Sequence, residues 1–142
     1  MKLLIKKLSI STALLLAAGQ VSAHDIINSL GTAASATDWF TVNCPTGTAE
    51  FYADIVDTSA ADGVLPSITI SKTGALSSTD NPEGGAVSPG VILVNSSGIY
   101  NIYITHSGAS AAINNYTAHV HCQTAAHVHT ATQPAPVTKQ NQ

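Results

Sequence analysis

Residues 116–122 read YTAHVHC, an order that only an extended chain sorts cleanly. Tyr116, Ala118, Val120 and Cys122 alternate with Thr117, His119 and His121, so a strand places the apolar set on one side and the histidines on the other. The stretch DWFTVNC alternates in the same sense, with Phe40, Val42 and Cys44 sharing a side. Each strand therefore carries a cysteine on its apolar face, and these are the only 2 cysteines in the chain. Two inward-facing cysteines in an oxidising compartment predict a Cys44–Cys122 disulfide that draws the first and last core strands together. A thiolate metal site is the alternative use of the same sulfurs.

Further windows repeat the period of two. In TAEFYADIV, Ala49, Phe51, Ala53 and Ile55 fall opposite Glu50, Tyr52 and Asp54. VLPSITISK groups Val64, Ile68 and Ile70, with Pro66 fitting a strand start or an edge. GVILVN and GIYNIYITH flank NSSG, which reads as a hairpin turn, and the second of these strands sets Tyr100, Ile102, Ile104 and His106 on one side. Short alternating strands separated by turn residues predict an all-β fold, an antiparallel β-sandwich over residues 37–123. Residues 24–36 read as a loosely determined lead-in. Residues 124–142 end in TATQPAPVTKQNQ, which lacks apolar periodicity and predicts a disordered, histidine-containing tail.

The chain opens MKLLIKKLSISTALLLAAGQVSA, with lysines at 2, 6 and 7, an apolar run from Leu8 to Ala18 and small residues at Ser22 and Ala23. That three-part layout predicts a signal peptide over residues 1–23 and an exported protein, periplasmic or extracellular. Neither the leader nor any later segment reaches the roughly 20 apolar residues of a membrane helix, so an integral membrane protein is not expected. No cysteine stands at the predicted cleavage site to take a lipid. Removing the leader leaves Lys72 and Lys139 as the only fixed cations, against 8 acidic residues. Such a surface repels phosphate, which excludes nucleic acid and anionic membranes as expected partners and leaves neutral, cationic or metallic ones.

DWFTVNCPTGT as an opening strand and turn, DGVLPSITIS, GIYNIYITHSG and the closing YTAHV together resemble the bacterial pre-peptidase C-terminal type of β-sandwich domain, over about residues 37–122. The resemblance implies a jelly-roll-like antiparallel sandwich serving as an accessory or binding module rather than a catalyst. The cysteine pair and the histidine-rich end depart from that pattern, and no site residues carry over.

Of the 6 histidines, 4 lie in two copies of AHVH that start eight positions apart. Strand residues two apart project together with Cα atoms roughly 6.5 Å apart, so His119 and His121 can close on one ion, and His127 and His129 repeat the spacing. An unbroken strand would keep all four rings on one face; a turn near QTAA would fold the second pair back. His24, if cleavage follows Ala23, offers both an α-amine and a ring nitrogen, as in an N-terminal histidine brace. His106 ends an apolar face and fits a buried or rim histidine better than a ligand. With no methionine left after cleavage and the cysteines oxidised, imidazole and carboxylate donors favour copper(II) or zinc(II). The expected function is binding of such an ion through His119 and His121, helped by some of His24, His106, His127 and His129.

Two further readings compete. In one, the protein is a non-catalytic surface or matrix interaction module, engaging other exported or surface proteins, whose histidines are incidental; Trp39 and Tyr52 then stand as a stacking platform or as packing. In the other, it is a small copper-dependent oxidase or oxygenase using His24. No nucleophile elbow, paired-carboxylate spacing or zinc-protease motif supports catalysis, so an enzyme is not expected.

Overall fold

The structure, a computed structural model, describes residues 24–60, 62–80, 86–130 and 135–142; the predicted leader lies outside these residues. Among the described residues nine strands follow in order: β1 His24–Leu30, β2 Thr37–Cys44, β3 Glu50–Asp57, β4 Pro66–Ser71, β5 Ala75–Thr79, β6 Val91–Val94, β7 Gly98–His106, β8 Asn114–Gln123 and β9 Val137–Gln140. They form two antiparallel sheets packed face to face, a four-stranded sheet in the order β1-β8-β3-β6 and a five-stranded sheet in the order β5-β4-β7-β2-β9. The all-β sandwich expected from the alternation is what the chain adopts.

The core lies where the alternation put it. Tyr116, Ala118, Val120 and Cys122 of β8 are buried against Phe40, Val42 and Cys44 of β2, with Phe51, Ala53 and Ile55 from β3 and Tyr100, Ile102 and Ile104 from β7. Phe51 and Tyr100 stack across the two sheets with centroids 4.6 Å apart. The Cys44–Cys122 bridge joins β2 of one sheet to β8 of the other, Cα atoms 5.6 Å apart. It is thus a staple between layers, closing a sequence separation of 78 residues. At the opposite end of the same two strands, buried Asp38 accepts hydrogen bonds from the Tyr116 hydroxyl at 2.6 Å and the Asn28 amide at 3.2 Å. Burial and this carboxylate push the Tyr116 hydroxyl far above its ordinary pKa, so it stays a donor.

Three expectations are corrected. First, NSSG is not a hairpin: β6 pairs with β3 and β7 with β2 and β4, so residues 95–97 cross from one sheet to the other. Strand pattern tells which side faces inward but not which layer a strand joins. The crossing is held by the Tyr100 hydroxyl donating to the carbonyls of Asn95 and Ser96, and by Lys72 Nζ donating to Ser96 and Ser97. Gly98 closes it at φ +119°, a conformation other residues rarely adopt. Second, the lead-in contains β1, which lies beside β8 from His24↔Val120 to Leu30↔Asn114. Third, the tail is not disordered throughout: residues 124–130 make a structured turn, and β9 pairs with β2 at the sheet edge. Past β9, the Gln142 carbonyl accepts from the Gly31 amide at 2.6 Å, and the Gln142 amide donates to Asp38 at 2.8 Å. Residues 131–134 of that tail lie outside the described ones.

The two outer faces differ in chemistry. On the four-stranded sheet the register lines up Asp25, His119 and Asp54 in one row, and His121 with Tyr52 in the next. On the five-stranded sheet the rows around the pair Trp39↔Tyr103 are mostly Thr, Ser, Asn and Gln, with exposed Val137 and Ile99 toward one end.

Candidate functional site

β8 is the central donor of the site because its outward residues are His119 and His121, flanked by β1 and β3. His119 is gripped from both sides. Its Nδ1 lies 2.5 Å from Asp54 Oδ1, and its Nε2 lies 3.9 Å from Asp25 Oδ1. Asp54 is nearly buried and takes a second hydrogen bond, from the Tyr52 hydroxyl at 2.6 Å. That contact and burial hold the Tyr52 hydroxyl at a pKa of about 12, burial being the larger cause. An acceptor carboxylate at Nδ1 favours a proton on that nitrogen and orients the ring, with Nε2 on the side of Asp25.

His121 has a different setting. Its ring stacks on Tyr52 at 5.3 Å between centroids and on His129 at 4.4 Å. Its Nδ1 is buried with no hydrogen-bond partner among the described residues. Burial, and next the neighbouring His129, push its pKa down to about 4, with Asp54 acting the other way. At neutral pH the ring is therefore an uncharged donor of a nitrogen lone pair.

The second AHVH copy reaches this face by the fold-back that the sequence left open. The Thr124 amide donates to the Val128 carbonyl, the His127 amide to Thr124, and the Thr130 amide to Cys122, turning the chain so that His129 bridges to Gln123. His127 takes the left-handed conformation at φ 58° that makes the turn. Its Nδ1 comes 2.5 Å from Glu50 Oε1, a close contact without hydrogen-bond alignment, since that buried oxygen has no hydrogen-bond partner among the described residues.

Four of the six predicted ligands, His119, His121, His127 and His129, thus meet on one face or its border, and two stand elsewhere. His24 pairs with Val120 and by register belongs to the opposite side of β1 from Asp25 and His119. His106 is buried at the end of β7 in the other sheet, opposite Pro66, as its apolar-face position implied. Sequence reasoning missed Asp25, Asp54 and Glu50 as partners. The alternation had put Glu50, Tyr52 and Asp54 on an outward face, but only the β3–β8 register shows that they meet the histidines. Among the described residues no three His, Cys, Asp or Glu side chains are gathered closely enough to hold an ion as they stand. His121 and His129, stacked within 20° of parallel, cannot both aim in-plane lone pairs at one point until one ring turns.

Comparison of the chain with protein-family models, curated proteins and solved structures finds no match in any of the three.

Proposed function

We propose that this chain is a small exported β-sandwich protein that binds a divalent transition ion, copper(II) or zinc(II), on the outer face of its four-stranded sheet. The observation that carries the reading is His119, with Nδ1 on buried Asp54 and Nε2 facing Asp25 across 3.9 Å. A carboxylate behind a histidine is the outer-shell arrangement that orients ligands in metal sites. Metal–nitrogen and metal–oxygen bonds of about 2 Å each span such a gap with a small adjustment. His121 supplies the next donor, its Nδ1 being unpartnered among the described residues, once the ring rotates away from Tyr52 and His129. His129 follows on the far side of the same stack. On this reading the ion is bound and carried rather than used in catalysis.

The test is a titration of the mature protein, its N-terminus verified by mass, with copper(II) and zinc(II) against a competing chelator. Stoichiometric binding is expected, weakening at acid pH because protonated rings do not ligate. His119→Ala and Asp25→Asn should each reduce affinity strongly. If neither does, while removal of residues 124–142 abolishes binding, the sheet-face site is wrong and the histidines beyond β8 chelate alone. One extra residue placed before His24 asks separately whether its α-amine takes part.

A further inference from the structure

The outer face of the five-stranded sheet is independent of the histidine site and has its own chemistry. The rows that register lays across it are Thr79–Ser67–Thr105–Thr37, then Ser77–Thr69–Tyr103–Trp39–Gln140. The next row runs Ala75–Ser71–Asn101–Thr41–Val137, and no residue in these rows carries a charge. Lys139 stands only at the rim, at the irregularity in the β2–β9 pairing, and Lys72 is engaged with the carbonyls of Ser96 and Ser97. Within the chain's 7 aromatic residues, Phe40, Phe51, Tyr100 and Tyr116 are core and Tyr52 belongs to the imidazole face. The remaining two, Trp39 and Tyr103, stack on each other, partly exposed, at the middle of this uncharged face, with centroids 5.9 Å apart and planes within 23°. The Trp39 indole is held in place by its Nε1, which donates to Asn101 Oδ1 at 3.1 Å.

We infer that this face is a binding surface for a neutral polysaccharide or oligosaccharide, with Trp39 and Tyr103 as the stacking platform. Polyanions find no cation among its rows, and cationic ligands find no carboxylate. What the face offers is two near-parallel rings fixed in advance and a surround of hydroxyl and amide groups. A pyranose ring complements both: its C–H face packs on an aromatic ring, and its equatorial hydroxyls meet neutral donors and acceptors in the plane of the sheet. The hydroxyl pairs Ser67–Thr79 at 2.8 Å and Thr69–Ser77 at 2.7 Å extend the polar surround along neighbouring strands, in keeping with a chain of sugars rather than one ring. Preset rings lower the ordering cost of binding, as the Trp39–Asn101 bond does here.

Because Trp39 is the only tryptophan, its fluorescence reads the face directly. The probes are hexasaccharides of β-1,4-linked glucose, N-acetylglucosamine and xylose, with polygalacturonate as the anionic control. A saturable change in emission with at least one neutral hexasaccharide is expected. Calorimetry should then show a loss of affinity of about ten-fold or more in Trp39→Ala and in Tyr103→Ala, with partial recovery in Trp39→Phe. His119→Ala should leave sugar binding unchanged, which separates this face from the metal site. No response to any neutral hexasaccharide at millimolar concentration, a response to polygalacturonate alone, or a folded Trp39→Ala protein that binds as tightly as wild type would each overturn the inference.

Discussion

At His121 three rings meet, Tyr52 on one side and His129 on the other, and the imidazole between them gives up its proton early. In the native protein it is charged only below about pH 4; in the unfolded chain it is charged below about 6.5. Between those values the unfolded chain binds more protons, so this contribution to stability is complete above pH 6.5 and is lost as pH falls toward 4. With allowance for the partly exposed ring it amounts to on the order of 1 to 2 kcal/mol. Urea unfolding at pH 7 and pH 4.5 should show it as a difference between wild type and His121→Asn that shrinks at the lower pH. Asp54→Asn acts on the neighbouring ring. It keeps the shape of the side chain but removes the charge behind His119 Nδ1, and should lower copper(II) and zinc(II) affinity about 10- to 100-fold with the fold intact. Gly90→Ala reaches the same network from outside: the added methyl collides with the Tyr52 ring, its hydroxyl end included. The expected result is loss of the Tyr52–Asp54 hydrogen bond, visible as a fall of the Tyr52 pKa from about 12 toward 10 in a spectrophotometric titration.

Among the elements, β9 does most for its size. Its four residues are all exposed, yet it covers the edge of β2, and the chain beyond it supplies the Gln142 amide to buried Asp38. Removing residues 135–142 leaves that carboxylate one donor short and bares a strand edge. A loss of about 1 to 3 kcal/mol is expected in chemical unfolding, with concentration-dependent association detected by light scattering. The strands that the sequence made legible were those with a buried side. YTAHVHC, DWFTVNC, TAEFYADIV and GIYNIYITH all show their inward residues in the pattern, and all are strands. The elements it hid have little or nothing to bury: β1 turns only Ile26 and Leu30 firmly inward, and β9 turns nothing. The NSSG crossing was hidden for another reason. Consecutive strands usually pair, and neither the turn residues nor the alternation say when a chain changes layer instead. In the candidate site the histidine spacing was readable, whereas the carboxylates of β1 and β3 became partners only through inter-strand register.

The molecule as a whole separates its titratable outer face from its uncharged one by a single core, and the bridge across that core ties the layers together. On the chain-entropy account a link across 78 residues contributes about 4 to 5 kcal/mol, a large share of the 5 to 15 kcal/mol typical of a domain. The Cys44→Ala/Cys122→Ala double variant should therefore melt on the order of 10 to 20 °C lower in calorimetry. Nearly every strand pairing spans distant parts of the sequence, β1 with β8 and β2 with β9 above all, so folding is expected on the slow side, milliseconds to seconds. The two sulfurs share that timing: they belong to different layers and are brought to 5.6 Å only when the layers close. Oxidation is then a late event that records success, and reagents that label free thiols will mark those copies that have never reached their final shape.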